Sequence, residues 1–158
     1  MRVMFKSVTA IGIYFVFNNS LYGDPSPFRK YQQDNSKCSV ESTAGEYPLF
    51  SIIKGEQIIF KPKSDGVSGV SFSNDGKYIA LGSSEIDMID VNGKYFHLVI
   101  VNCETEAVAG FNLDIKGLTA AWPTKWDKKG KWLDYAYYAD KPGKQKGRLL
   151  FSKNRLPK

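Results

Sequence analysis

The 158-residue chain contains one histidine and two cysteines, and beyond its N-terminus it has no apolar run near the ~20 residues that span a membrane. Each scarcity removes a class of function. Two cysteines without a CxxC spacing and one histidine cannot assemble a standard structural zinc site. Histidine-dependent base chemistry would have to use His97, which in a strand shares a face with Tyr95, Val99 and Val101 and reads as a satisfied core or half-exposed residue. Gly66-Val67-Ser68-Gly69-Val70 approaches a hydrolase nucleophile turn but lacks its closing glycine and lies between strands. The glycines at Gly55, Gly66, Gly69, Gly76, Gly82 and Gly93 are spaced as turn and bulge residues, so no phosphate-cradling loop is present. No amphipathic helical stripe exceeds two turns. An enzyme, a metal and a cofactor are therefore not expected.

What is present first concerns export. Arg2 and Lys6 precede Val8 to Phe17, ten residues of which only Thr9 is polar. This is the layout of a secretory signal peptide, read as residues 1–23 with cleavage after Gly23; the competing reading is a buried N-terminal strand or helix. A periplasmic or secreted protein with no transmembrane anchor after processing is expected. Cys38 and Cys103, an even pair in such a chain, are read as one disulfide, the competing reading being two buried free thiols.

Residues 24–46 are polar, with Pro25, Pro27, Gln32, Gln33 and Asn35, and read as an N-terminal arm. From Tyr47 onward short apolar runs alternate with turn residues every eight to twelve positions, the pattern of an all-β domain at 47–158. Lys54-Gly55-Glu56, Ser73-Asn74-Asp75-Gly76 and Val91-Asn92-Gly93 mark three hairpins, Asn-Gly most strongly. The nearly continuous apolar run Tyr95 to Val101 predicts a central strand covered on both faces. Trp132 to Tyr138 and Arg148 to Phe151 read as closing strands. The expectation is a small antiparallel meander, sandwich or strongly twisted sheet of about 8 strands.

Gly69-Val70-Ser71-Phe72-Ser73-Asn74-Asp75-Gly76-Lys77-Tyr78-Ile79-Ala80-Leu81-Gly82-Ser83, followed by Ile89-Asp90-Val91-Asn92-Gly93, resembles one blade of a WD-repeat or TolB-type β-propeller. In such blades an Asp-Gly turn joins the first two strands. A fainter copy lies 54 residues on, where Trp126-Asp127-Lys128-Lys129-Gly130-Lys131-Trp132-Leu133 matches Phe72 to Ile79. The resemblance implies antiparallel meanders. A chain with room for two or three blades cannot close a propeller.

Aromatic residues concentrate late in the chain: Trp122, Trp126, Trp132, Tyr135, Tyr137 and Tyr138 fall within 17 positions, among Lys125, Lys128, Lys129 and Lys131. Alternate residues of a strand face opposite sides, so such a cluster divides between core and an exposed surface able to anchor a partner. Charge is polarised in the same direction. Residues 24–115 carry a net −5 and residues 116–158 a net +9, and seven basic residues with no acid lie between Lys141 and Lys158, which read as a basic tail or edge strand. The acidic residues Glu85, Asp87 and Asp90 cluster near a turn but lack the loop spacing of an EF-hand; they read as a solvated hairpin edge.

Together these features predict an exported binding or inhibitory protein, most simply a periplasmic immunity-type protein that plugs a toxin or cell-wall hydrolase. Its candidate partner-binding residues are Trp122, Trp126, Lys128, Lys129, Trp132, Tyr135 and Tyr137, with Glu85, Asp87 and Asp90. The alternatives are an envelope module that holds an anionic polymer through its basic aromatic last third, and a segment that completes a partner's sheet by strand addition. Nucleic acid is not an expected partner, because the positive charge is local and the rest of the mature chain is acidic.

Overall fold

The computed structural model describes residues 28–43, 49–62, 67–84, 88–151 and 155–158. The expected leader at 1–23 lies outside the described residues. The chain is all-β, as its turn spacing predicts, and among the described residues it forms thirteen antiparallel strands in four sheets. The first sheet is the meander β1 (Phe28–Gln32), β2 (Cys38–Thr43), β3 (Phe50–Lys54) and β4 (Gln57–Phe60). The second contains β5 (Val67–Phe72), β6 (Tyr78–Ser83), β9 (Leu98–Asn102) and β10 (Val108–Phe111), with the hairpin β7 (Ile89–Val91) and β8 (Lys94–Phe96) inserted between β6 and β9. The third has only three strands: β11 (Ala120–Trp126), β12 (Trp132–Tyr138) and β13 (Gln145–Leu150).

The sheets stack in chain order, with the second in the middle. Its residues alternate between two cores. Ile79, Leu81, Val99 and Val101 pack with Cys38, Val40, Phe50 and Ile52 of the first sheet. Ala80, Leu98, Ile100 and Phe111 pack with Ala121, Trp126, Leu133, Tyr135 and Leu149 of the third. A strand covered on both faces needs apolar residues at every position, and Leu98 to Val101 are all fully buried. β11 lies close over β5 and β6 because two glycines let it: a Cβ on Gly82 would collide with the Ala121 carbonyl, and one on Gly69 would sit 2.9 Å from the Trp122 Cβ. The Ser68 hydroxyl, 2.6 Å from the Ser83 carbonyl and 3.2 Å from that of Ala121, ties the two layers at this approach.

One turn is built three times. In each of the three larger sheets it joins the first strand to the second, at residues 33–38, 73–78 and 127–132. The amide of Ser36 donates to the Gln33 carbonyl (2.9 Å), that of Gly76 to Ser73 (3.0 Å) and that of Gly130 to Asp127 (3.0 Å). Gly76 and Gly130, 54 residues apart, have φ of 71° and 65°, left-handed values that favour glycine. The turns also bond to one another. Gln33 Nε2 donates to the Ser73 carbonyl (3.2 Å), Asn35 Nδ2 to that of Asn74 (2.9 Å) and Asn74 Nδ2 to that of Trp126 (3.2 Å). Amide side chains thus pin the three layers along one corner.

The expected strand number was too low for three reasons. The described part of the polar stretch 24–46 is not an irregular arm: it forms β1 and β2, whose buried positions Cys38, Ser39, Val40 and Ser42 include two serines and so give a weak apolar signal. β11 contains Pro123, which a central strand would reject, but the register shifts between Pro123 and Lys125 and the proline sits at that irregularity. The expected single strand from Tyr95 to Val101 is broken at His97 into β8 and β9.

Cys38 and Cys103 form the disulfide, with a Cα–Cα separation of 5.7 Å, joining the start of β2 to the turn after β9 across the first core. Replacing both by serine should cost about 4 kcal/mol, the chain-entropy value for a loop of 65 residues, and lower Tm by on the order of 10 °C in a thermal melt at fixed pH.

Candidate functional site

The outer face of the third sheet gathers the features the sequence placed in the last third of the chain. Because strand side chains alternate, Leu133, Tyr135 and Leu149 turn inward to the second core. Trp132, Asp134 and Ala136 of β12 then face outward beside Arg148 and Lys146 of β13, in the registers Asp134↔Arg148 and Ala136↔Lys146. On the other flank, Trp122 of β11 stands opposite Ala136 and Lys125 opposite Asp134. The result is an open groove of about 660 Å³, lined chiefly by Trp122, Lys125, Asp134, Lys144, Lys146 and Arg148, with Gly69 and Val70 of β5 at its margin.

Its electrostatics are one-sided. Arg148 pairs with Asp134 in two-point fashion, Nε to Oδ1 at 2.6 Å and Nη2 to Oδ2 at 3.2 Å, and lies 3.9 Å over the Trp132 ring. Lys144 Nζ lies 5.6 Å from the centroid of the Trp122 ring, which is tilted against Tyr138 at 5.2 Å. Among the described residues, Lys125, Lys144 and Lys146 have no carboxylate partner. Three uncompensated ammonium groups therefore surround flat aromatic surface on a rigid sheet, a combination that attracts anions and holds them against a ring.

The predicted site residues divide. Trp122 and Trp132 lie on the face. Lys128 and Lys129 are exposed in the turn before β12, at the end of the turn ladder. Trp126 is core, 4 % exposed, stacked on Tyr78 at 6.1 Å and bonded through Nε1 to the Ser71 carbonyl at 3.4 Å. Tyr135 lies beneath the groove floor, and burial, with Tyr137 beside it, pushes its phenol above the usual range. The Tyr137 hydroxyl donates to Gln145 Oε1 at 3.1 Å. Glu85 and Asp87 lie outside the described residues. Asp90 is buried, and its Oδ1 accepts the Gly93 amide at 2.7 Å, so it closes the Asn92-Gly93 hairpin instead of offering an acidic contact.

The sequence reading did not single out Lys144, Lys146 and Arg148 as site residues. Their signal was the two-residue spacing, which puts three cations on one face as soon as the segment is a strand. Nor is the basic C-terminus a free tail. Leu156 packs on the second core and the Pro157 carbonyl accepts the Asn102 Nδ2 at 3.0 Å.

His97 lies between β8 and β9, where its Nδ1 accepts the Leu113 amide at 3.2 Å and burial lowers its pKa from 6.5. The nitrogen is spent on the backbone. Comparison with family models, curated proteins and solved structures finds no match to this chain.

Two measurements follow from this geometry. Trp126→Ala should destabilise the fold by about 3–5 kcal/mol in urea titration, as core Trp truncations do, and Trp122→Ala by less than about 1.5 kcal/mol. The folded state resists protonating His97 and the unfolded state does not, so its contribution is full above pH 6.5 and is lost as pH falls through the lowered folded value; His97→Gln should flatten that part of a stability-versus-pH curve.

Proposed function

We propose that this chain is an exported binding protein that inhibits a partner protein, of the immunity type, by presenting the outer face of its third sheet to an acidic surface on a toxin or cell-wall hydrolase. The observation that carries the reading is the set Lys125, Lys144 and Lys146, uncompensated and interleaved with Trp122, Trp132 and Tyr138 on one sheet face. Aromatic and arginine anchors are the residues on which protein interfaces concentrate their energy, and opposite charge speeds and orients encounter. The Cys38–Cys103 disulfide suits an oxidising compartment. A second reading, an anionic envelope polymer as ligand, draws on the regular spacing of Lys144, Lys146 and Arg148, which suits a repeating negative charge.

The two readings separate in one titration series. Mixed with the purified product of the adjacent reading frame, the chain should form a one-to-one complex by calorimetry, and Lys144→Glu/Lys146→Glu should weaken it at least tenfold. No complex, or an affinity unchanged by the charge reversal, would overturn the proposal. Tighter binding to lipopolysaccharide or polyphosphate than to the protein, falling steeply with salt, would transfer it to the polymer reading.

A further inference from the structure

Among the described residues the third sheet has three strands where the first and second have four. The first sheet is a four-stranded meander, and the second is the same meander interrupted by the β7–β8 hairpin, its consecutive neighbours being β5, β6, β9 and β10. Each opens with the turn that recurs at 33–38, 73–78 and 127–132. The third sheet begins with that turn between β11 and β12 and continues to β13, and among the described residues no strand lies on the far side of β13. The edge is continuous with the groove, since Lys146 and Arg148 belong to both.

Resting on the binding-protein reading above, we propose that β13 is the docking edge, and that its occupant is an extended acidic segment of the partner protein, which adds as the fourth strand of the third sheet. Backbone groups along Gln145–Leu149 supply main-chain hydrogen bonds, as in other strand additions. The segment covered is about five residues, roughly 17 Å of extended chain. Lys144, Lys146 and Arg148 alternate on the outer face, so an incoming strand with carboxylates at every second position places them beside this row. Lysine on an edge is also how proteins repel unwanted strands. Here the row carries one sign, with Asp134 as the acid paired to Arg148, so it repels basic strands and accepts acidic ones. Selectivity comes from charge and affinity from the backbone.

The probe is a blocked hexapeptide of alternating valine and glutamate, with its valine–lysine counterpart as control. Hydrogen exchange followed by NMR should show new protection of alternate β13 amides within Gln145–Leu149 on adding the glutamate peptide, and at least tenfold weaker binding of the lysine peptide. Lys144→Glu/Lys146→Glu, two exposed positions, should reverse that preference while circular dichroism stays unchanged. Binding without protection in β13, or equal effects from inorganic polyphosphate, would overturn strand addition. A partner complex that leaves these amides exchanging freely would defeat the strand and spare the binding-protein reading. Peptide addition with no complex from the adjacent gene product would do the opposite.

Discussion

Everything in this fold depends on the second sheet being covered on both faces. β6 and β9 contribute Ile79, Ala80, Leu81, Leu98, Val99, Ile100 and Val101, all fully buried, and successive residues serve opposite cores. Removing roughly 1.5–3 kcal/mol worth of side chain from water at each larger position requires a sheet on either side at ordinary packing distance. The first sheet meets that requirement with the disulfide as a covalent tie. The third meets it through the glycines at 69 and 82, which let β11 approach β5 and β6 more closely than any Cβ allows. A middle layer committed in this way leaves the outer faces and the unpaired edges of the end layers for contact with other molecules.

The two end layers differ in what they expose. The third carries Trp122, Trp132 and Tyr138 with a row of cations. On the outer side of the first, Lys30 and Glu41 pair at 3.9 Å beside Ser51, with Ile53 and the exposed Ile58 on the same face. Because layer order follows chain order, the positive excess of residues 116–158 gathers at the third layer and the acidic excess falls in the segment 63–115 that builds the middle one, while residues 24–62 are balanced. Placing the proposed binding surface on strands also fixes it. Arg148 is held by Asp134 on one side and by the Trp132 ring on the other, so little side-chain freedom remains to be lost when a partner arrives.

Much of the architecture was legible in the sequence, for reasons visible at particular residues. Asn92 and Gly93 have φ of 54° and 80°, the pair of left-handed values that makes Asn-Gly the strongest hairpin signal. The apolar run at Leu98 to Val101 announced a doubly covered strand. The matching turns at 73–78 and 127–132 were visible because both need glycine at the same position. The related turn at 33–38 was not, since Ser36 stands where the others have glycine, and β1 and β2 stayed hidden with it. Within the candidate site, composition pointed to the segment that carries the aromatic and basic face but could not divide its residues between face and core. Trp126 and Trp122 are four residues apart and look alike in sequence, yet the irregular register around Pro123 helps to set which face each one takes. That shift is a property of strand pairing, and no local pattern encodes it.

The stacked turns also set the third layer apart from the other two. Asn35 and Asn74 each reach forward to the next layer, so every turn but the last is capped by a successor. The last, Asp127 to Trp132, has no following layer among the described residues, and in place of an amide it carries Lys128 and Lys129, both exposed. Lysines at this turn corner and along the row beside β13 carry the same sign of charge, which disfavours the approach of basic strands. The edge we propose as the docking site therefore favours negative charge, and that preference follows from the row Lys144, Lys146 and Arg148 beside it.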